Sequence, residues 1–208
     1  QQNIKGIVPQ DSSKIPPSIQ FGDSQNLPLP DSTVDLIVTS PPYASNAIDY
    51  MRAHKFSLVW FGYTVADLGE RRGKYIGGEA VKDNVLEPLP PKVAEVVTAL
   101  TDLDRRKGII LHRYYAEMTR ALREMFRVLK PGKAAIVVVG SSVMRGKDTE
   151  TAECLAAIGR TVGFEVPHIG VRELDRNRRM LPASTIRNFT SQIQNRMHEE
   201  YVIGFYKS

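Results

Sequence analysis

Apolar positions along the chain follow two periods. In "YYAEMTRALREMFRVLKPG", Tyr115, Met118, Leu122, Met125 and Leu129 recur at steps of three and four. That spacing predicts a helix with one buried face, stopped by Lys130-Pro131-Gly132. Residues 34–39 and the run "KAAIVVVG" are apolar without alternation, the pattern of strands covered on both faces. "SIQFGDS" predicts a short strand ending in a turn at Gly22-Asp23-Ser24. "NAIDYMRAHKFSLVWFG" predicts a helix closed by Gly62, and residues 92–106 predict another. Thr149 is placed to cap a helix that carries Leu155, Ile158 and Val162 and closes at Gly163. "FEVPHIGVREL" and "EEYVIGFYK" read as a closing pair of strands.

Strands alternating with helices and ending in two adjacent strands imply an α/β fold. The sheet is expected to be mostly parallel with an antiparallel terminal strand. Residues 1–17 are polar and read as an arm, and 18–208 as the folded domain. Residues 64–108 interrupt the regular alternation and are expected to be an insert.

Composition narrows the class. A chain of 208 residues can bury one sizeable core. Its net charge of +5 is compatible with a nucleic-acid partner without requiring one. No apolar run approaches the roughly 18 residues of a membrane span, and the opening residues are polar. No membrane partner is therefore expected. Cys154 stands alone, which excludes an internal disulfide and fits a reducing, cytoplasmic setting. It is expected to be a small core residue. His54, His112, His168 and His198 are scattered without metal-ligand spacing and are read as structural.

The chemistry concentrates where an apolar run ends in Ser40-Pro41-Pro42-Tyr43. In an open α/β sheet, ligands sit outside the carboxyl ends of the strands. Two prolines fix two φ angles and remove two backbone donors, so the loop is stiff and its carbonyls stay free. A hydroxyl, free carbonyls and an aromatic face suit a flat, amino-bearing substrate. The same residues would also make a rigid turn with a surface tyrosine.

"TSPPY" after an apolar strand resembles the target-amine motif of the amino-methylating DNA methyltransferases, which modify N4 of cytosine or N6 of adenine. The resemblance extends to "GDSQNLPLPDSTVDLIVTSPPY", to "EMFRVLKPGKAAIVVVG" and to "HEEYVIGFYK". It covers most of residues 18–208 and is poorest over 64–108. It implies a Rossmann-like methyltransferase sheet, S-adenosylmethionine as cofactor and double-stranded DNA as partner. The Ser form of the motif is most typical of cytosine-N4 enzymes. Related loops serve enzymes that act on RNA or on protein glutamine, and a nucleic-acid-binding remnant without catalysis is a further alternative.

The resemblance also assigns roles. Ser40 and the Pro41 carbonyl would accept hydrogen bonds from the target amine, with Pro42 stiffening the loop and Tyr43 stacking on the base. Asp23, with Ser24 beside it, would lie near the adenine of the cofactor, although Asp after Gly is also common in turns. Asn46, Asp49 and Tyr50 would line the base pocket, and equally suit the start of a helix. Arg71, Arg72 and Lys74 would contact DNA phosphates from the insert, and "DRRKG" and "RNRRM" are further basic clusters of that kind.

The family's Gly-rich cofactor loop, of Asp-Pro-Phe-x-Gly-x-Gly type, is not identifiable in this sequence. The expectation is that the first strands of the sheet lie elsewhere, on an N-terminal or separate segment.

Overall fold

The computed structural model of the protein describes residues 18–44, 50–64, 66–69, 76, 87–173 and 199–208, with residues 50–53 described by backbone alone. The strands are β1 (Val34–Thr39), β2 (Leu129–Gly140), β3 (Val143–Met144), β4 (Lys147–Asp148), β5 (Ile169–Glu173) and β6 (Glu199–Lys207). The helices are α1 (Tyr50–Trp60), α2 (Pro91–Thr101), α3 (Arg105–Val128) and α4 (Thr151–Val162). The sheet runs β1-β2-β6-β5, and β3 and β4 form a separate hairpin. β1 is parallel to β2, whereas β6 is antiparallel to both β2 and β5. The fold is α/β with a mixed sheet, and the closing pair of strands is antiparallel as expected.

One face of the sheet carries the core. Ala135, Val137 and Val139 of β2 alternate inward and meet Ile203 and Phe205 of β6. α2, α3 and α4 cover them with Val93, Leu100, Tyr115, Met118, Leu122, Leu155 and Ile158, all buried. The helical period read in the sequence holds along α3: Tyr115, Met118, Leu122, Met125 and Leu129 are all buried. Cys154 is buried as expected, and burial pushes its thiol up to about 11, so it behaves as a small apolar residue.

Several expectations are corrected. Residues 92–106 do not form one helix. The chain breaks after Thr101, and Asp104 begins α3 by accepting a hydrogen bond from the Lys107 N–H at 3.1 Å. Gly108 permits this tight joint, because a Cβ there would sit 2.1 Å from Thr101 Oγ1 and 2.7 Å from its Cα. Residues 91–108, counted in the insert, thus belong to the helical layer on the core. Thr149 does not cap α4. Glu150 stands at the N-cap with φ 47°, and the buried Thr149 hydroxyl bonds the Ser142 carbonyl at 3.0 Å. "SIQFGDS" makes no strand, and Ile19 and Phe21 are exposed with no neighbouring strand among the described residues.

Lys130-Pro131-Gly132 ends the helix at Val128, but the chain is already in β2. Leu129 pairs with Val34 and Ala134 with Leu36, so residues 130–133 bulge opposite Asp35. Gly132 takes φ +72°, which favours glycine. Lys130 Nζ reaches both Asp35 oxygens at 3.0 Å and holds that carboxyl below its ordinary range.

β1 is also not covered on both faces. Ile37 and Thr39 face inward beside Ala135 and Val137, but Leu36 and Val38 on the other face are 59% and 68% exposed. β1 is the edge of the described sheet.

α4 approaches β6 closely through Gly159. A Cβ there would fall 2.2 Å from Cε1 and 2.6 Å from Cδ1 of the fully buried Phe205. Gly159→Ala should therefore lower stability by about 1–3 kcal/mol through overpacking. A urea titration checks this, and an unchanged midpoint would mean that Phe205 can turn aside at no cost.

Candidate active site

β1 must stop at Thr39, because Pro41 and Pro42 have no N–H to extend a ladder. The chain leaves the carboxyl end of the sheet through Ser40, which is exposed, and then Pro41, Pro42 and Tyr43, which are half-buried. Ala44 is fully buried and anchors the far end of the loop in the core, with Tyr43 packed partly against it. Tyr43 is therefore neither a core ring nor a free surface ring. From the helical layer, Tyr114 of α3 donates its phenolic hydrogen to the Pro42 carbonyl at 2.9 Å. Tyr114 is fully buried and meets Tyr115 edge to face, with centroids 5.2 Å apart.

Asp23 and Ser24 sit in a tight exposed turn. The Asp23 side chain accepts from the Gln25 N–H at 2.9 Å, and Asn26 N–H bonds the Asp23 carbonyl at 3.0 Å. This turn and the run that follows it are fastened to α3 by three residues on one helix face. Arg120 Nε donates to Gln25 Oε1 at 2.7 Å. Glu124 accepts from the Leu27 N–H at 2.8 Å, and Arg127 donates to the Leu27 and Leu29 carbonyls and to Asp31. The chain then enters β1 through Ser32 and Thr33, whose N–H groups bond the last carbonyls of α3. The Asp23 turn and the Ser40–Tyr43 loop are thus both anchored on α3. Their anchors, Arg120 and Tyr114, are six residues apart, roughly 9 Å of helical rise.

The other expected site residues fall outside this account. Asn46, Asp49, Arg71, Arg72 and Lys74 lie outside the described residues, as do the polar arm 1–17 and "RNRRM". Tyr50 opens α1, with its backbone alone described. Of the "DRRKG" cluster, Arg105 and Arg106 are exposed at the start of α3. His112 is structural, its Nε2 lying 2.8 Å from the Glu87 carbonyl. Among the described residues, no group of three or more His, Cys, Asp or Glu side chains could hold a metal ion, and no helix is long and apolar enough to cross a membrane.

Sequence reasoning missed Tyr114 and the Arg120–Glu124–Arg127 clamp. The clamp had a visible signal, since three charges at steps of four and three share one helix face. Tyr114 had a weaker one: a tyrosine inside an apolar pattern needs an acceptor, but nothing local says which.

Glu124 makes the clamp sensitive to acid. Its hydrogen bond with Arg127, and then that with the Leu27 N–H, hold its carboxyl below the ordinary value. A depressed carboxylate contributes stability that is present above its unfolded pKa and lost as pH falls through the folded one. Protection of the Leu27 amide against hydrogen exchange should therefore drop as pH falls below about 4. Glu124→Leu, which removes the acceptor, should show low Leu27 protection at neutral pH and no acid step. Persistent protection in that variant would place the fastening elsewhere.

No protein-family model matches the chain. Among curated proteins it is 24% identical over 143 residues to the type II methyltransferase M.MvaI of Kocuria varians, a match covering 62% of this chain and 32% of that protein. The match thus spans about a third of the relative's length. Among solved structures it is similar to the PvuII DNA methyltransferase, described as cytosine-N4-specific, at 16% identity and TM-score 0.48, over 90% of this chain and 48% of that one. It is also similar to a DNA modification methylase of Thermus thermophilus, so assigned, in complex with S-adenosyl-L-methionine. That likeness has 19% identity and TM-score 0.44, over 89% of this chain and 53% of that one. In sequence, over those 143 residues, the chain is similar to a type II methyltransferase.

Proposed function

We propose that the chain forms the target-amine site of a DNA methyltransferase that modifies an exocyclic amine of a flipped base, N4 of cytosine in preference to N6 of adenine. The observation that carries this reading is the Ser40–Tyr43 loop. It lies at the carboxyl end of β1, with an exposed serine, the Pro41 carbonyl next to it and a half-buried ring packed against the core. The preference for cytosine rests on Ser40, the short neutral form of the motif.

Ser40 Oγ and the Pro41 carbonyl accept hydrogen bonds from the two amine hydrogens. This favours a pyramidal nitrogen whose lone pair, otherwise delocalised into the ring, points out of the base plane. Bound S-adenosylmethionine supplies a methyl group already activated on a sulfonium. The part of these residues would be to hold the amine nitrogen in line with that methyl; the amine proton would pass to solvent, since Ser40 is a poor base. Much of the rate then comes from alignment. Extruding the base from a duplex costs a few kcal/mol, and stacking on Tyr43 offsets part of this by roughly 1–3 kcal/mol. Asp23, an acceptor in an exposed turn, suits the adenine amino group of the cofactor, with Ser24 beside it. Residues 64–108, of which 91–108 pack in the helical layer, are the candidate for target reading, with Arg71, Arg72 and Lys74 on phosphates and Asn46, Asp49 and Tyr50 near the base.

Two substitutions separate the roles. Tyr43→Ala should weaken binding to DNA carrying an extrahelical target base by about fivefold to a hundredfold. Ser40→Ala should leave that affinity nearly unchanged and lower kcat by about tenfold or more. Equal effects of both on affinity alone would contradict the assignment.

The decisive assay incubates full-length protein with DNA and labelled cofactor, digests to nucleosides and identifies the product by mass. N4-methylcytosine is expected, and binding should weaken as salt rises. N6-methyladenine would overturn the base preference. Label in RNA or protein alone would overturn DNA as the substrate.

A further inference from the structure

We infer that Tyr114 is a positioning residue for the target-amine loop, acting through its hydroxyl on the Pro42 carbonyl. The inference rests on the reading of Ser40–Tyr43 as the base site and goes beyond it, because Tyr114 touches neither base nor cofactor in that reading. The loop must hold the Ser40 hydroxyl, the Pro41 carbonyl and the Tyr43 ring in one fixed relation. Covalent structure supplies most of this. Peptide planarity removes ω, and the proline rings lock φ at Pro41 and Pro42. A residue before proline is itself restricted in ψ, which stiffens Ser40 and Pro41. Pro42 is followed by Tyr43 and not by a third proline, so its ψ escapes that restriction. ψ of Pro42 is the soft joint between the amine acceptors and the stacking ring.

The Tyr114 hydroxyl acts at that joint. A hydrogen bond to the Pro42 carbonyl orients the whole Pro42–Tyr43 peptide plane, and so sets ψ of Pro42 and the direction in which the chain reaches the Tyr43 ring. Neither proline can tie the loop down through an N–H of its own. Among the described residues, no other hydrogen bond joins residues 40–43 to the helices. Packing alone does not call for this group. Phenylalanine would fill the same buried, edge-to-face place beside Tyr115. Tyr115 is the contrast one residue on. It is equally buried, yet its hydroxyl bonds the Thr149 carbonyl at 2.6 Å, in the segment before α4.

The experiment compares Tyr114→Phe with Tyr115→Phe in the full-length protein, with three readouts. The first is single-turnover methyl transfer to DNA. Tyr114→Phe should slow it by about tenfold to a hundredfold, the scale of a small misplacement in an aligned site, with the cofactor KM unchanged. Tyr115→Phe should leave it near wild type. The second is thermal melting, in which both variants should shift by small amounts, since each keeps its ring packing and loses its hydroxyl's bond to a carbonyl. The third is independent of activity: 3-fluorotyrosine placed at position 43 should give one narrow fluorine resonance in the otherwise wild-type protein. That resonance should shift or broaden with Tyr114→Phe and not with Tyr115→Phe. If Tyr114→Phe does not fold, 4-aminophenylalanine at position 114 keeps a donor and should preserve both rate and resonance. An unchanged resonance in folded Tyr114→Phe overturns the positioning role. A changed resonance with an unchanged rate overturns its bearing on catalysis. A wild-type protein that methylates no nucleic acid removes the methyltransferase reading, and the resonance still decides whether Tyr114 orients the loop.

Discussion

Helix α3 packs on the covered face of the sheet with Tyr115, Met118, Leu122 and Met125 buried, and both parts of the candidate site take their positions from it. It is 24 residues long, roughly 36 Å, so it spans the layer from end to end. Its faces are divided by task. One fills the core. A second, at Arg120, Glu124 and Arg127, holds the run that carries Asp23 into β1. Near its N-terminal half, Tyr114 reaches the loop that leaves β1. Because the interior is close-packed, the core face fixes the rotation of the helix, and the other two faces are aimed as a consequence. The last strand closes the arrangement from the opposite end. Lys207 donates to the Phe126 and Leu129 carbonyls at 2.7 Å, a cation placed where the helix leaves its final carbonyls unpaired.

The Ser40–Tyr43 loop shows how a stiff site is assembled from unlike restraints. Prolines lower the conformational freedom of the unfolded chain as well as the folded one, so part of the ordering cost is met before folding. They also strip the loop of the donors that would let it brace itself. External bracing is then required, and it comes from a buried phenol at one point and from Ala44 in the core at the next. A loop closed by its own hydrogen bonds would present fewer free carbonyls to a substrate amine. The chemistry of the proposed function and the way the loop is held therefore follow from the same two residues.

β1 divides its character between two faces. Inward it matches β2 residue for residue, with Ile37 and Thr39 beside Ala135 and Val137. Outward, Leu36 and Val38 are apolar and exposed, as are Phe56, Trp60 and Phe61 in and just after α1. An apolar run does not reveal how many of its faces the fold covers, because burial on the second face depends on elements far away in sequence.

Element type was legible wherever a side-chain period decided it. The α3 face, the two parallel strands, the closing antiparallel pair and the place of Ser-Pro-Pro-Tyr at a strand end all follow from local pattern and turn chemistry. Gly62 and Gly163 end their helices at φ +89° and +119°, as glycine's freedom at positive φ predicts. What the sequence left open depended on partners distant along the chain. Whether residues 92–106 ran on as one helix turned on the fit of Gly108 against Thr101. Thr149 was a plausible cap until Ser142, seven residues back, took its hydroxyl. Lys130-Pro131-Gly132 was readable as a stop, but not as a bulge gripping Asp35 from 95 residues away. The acceptor of Tyr114 lies 72 residues away. A buried hydroxyl must find a carbonyl, and the sequence states that need. Which carbonyl lies within 3 Å is settled when the helix and the loop pack together.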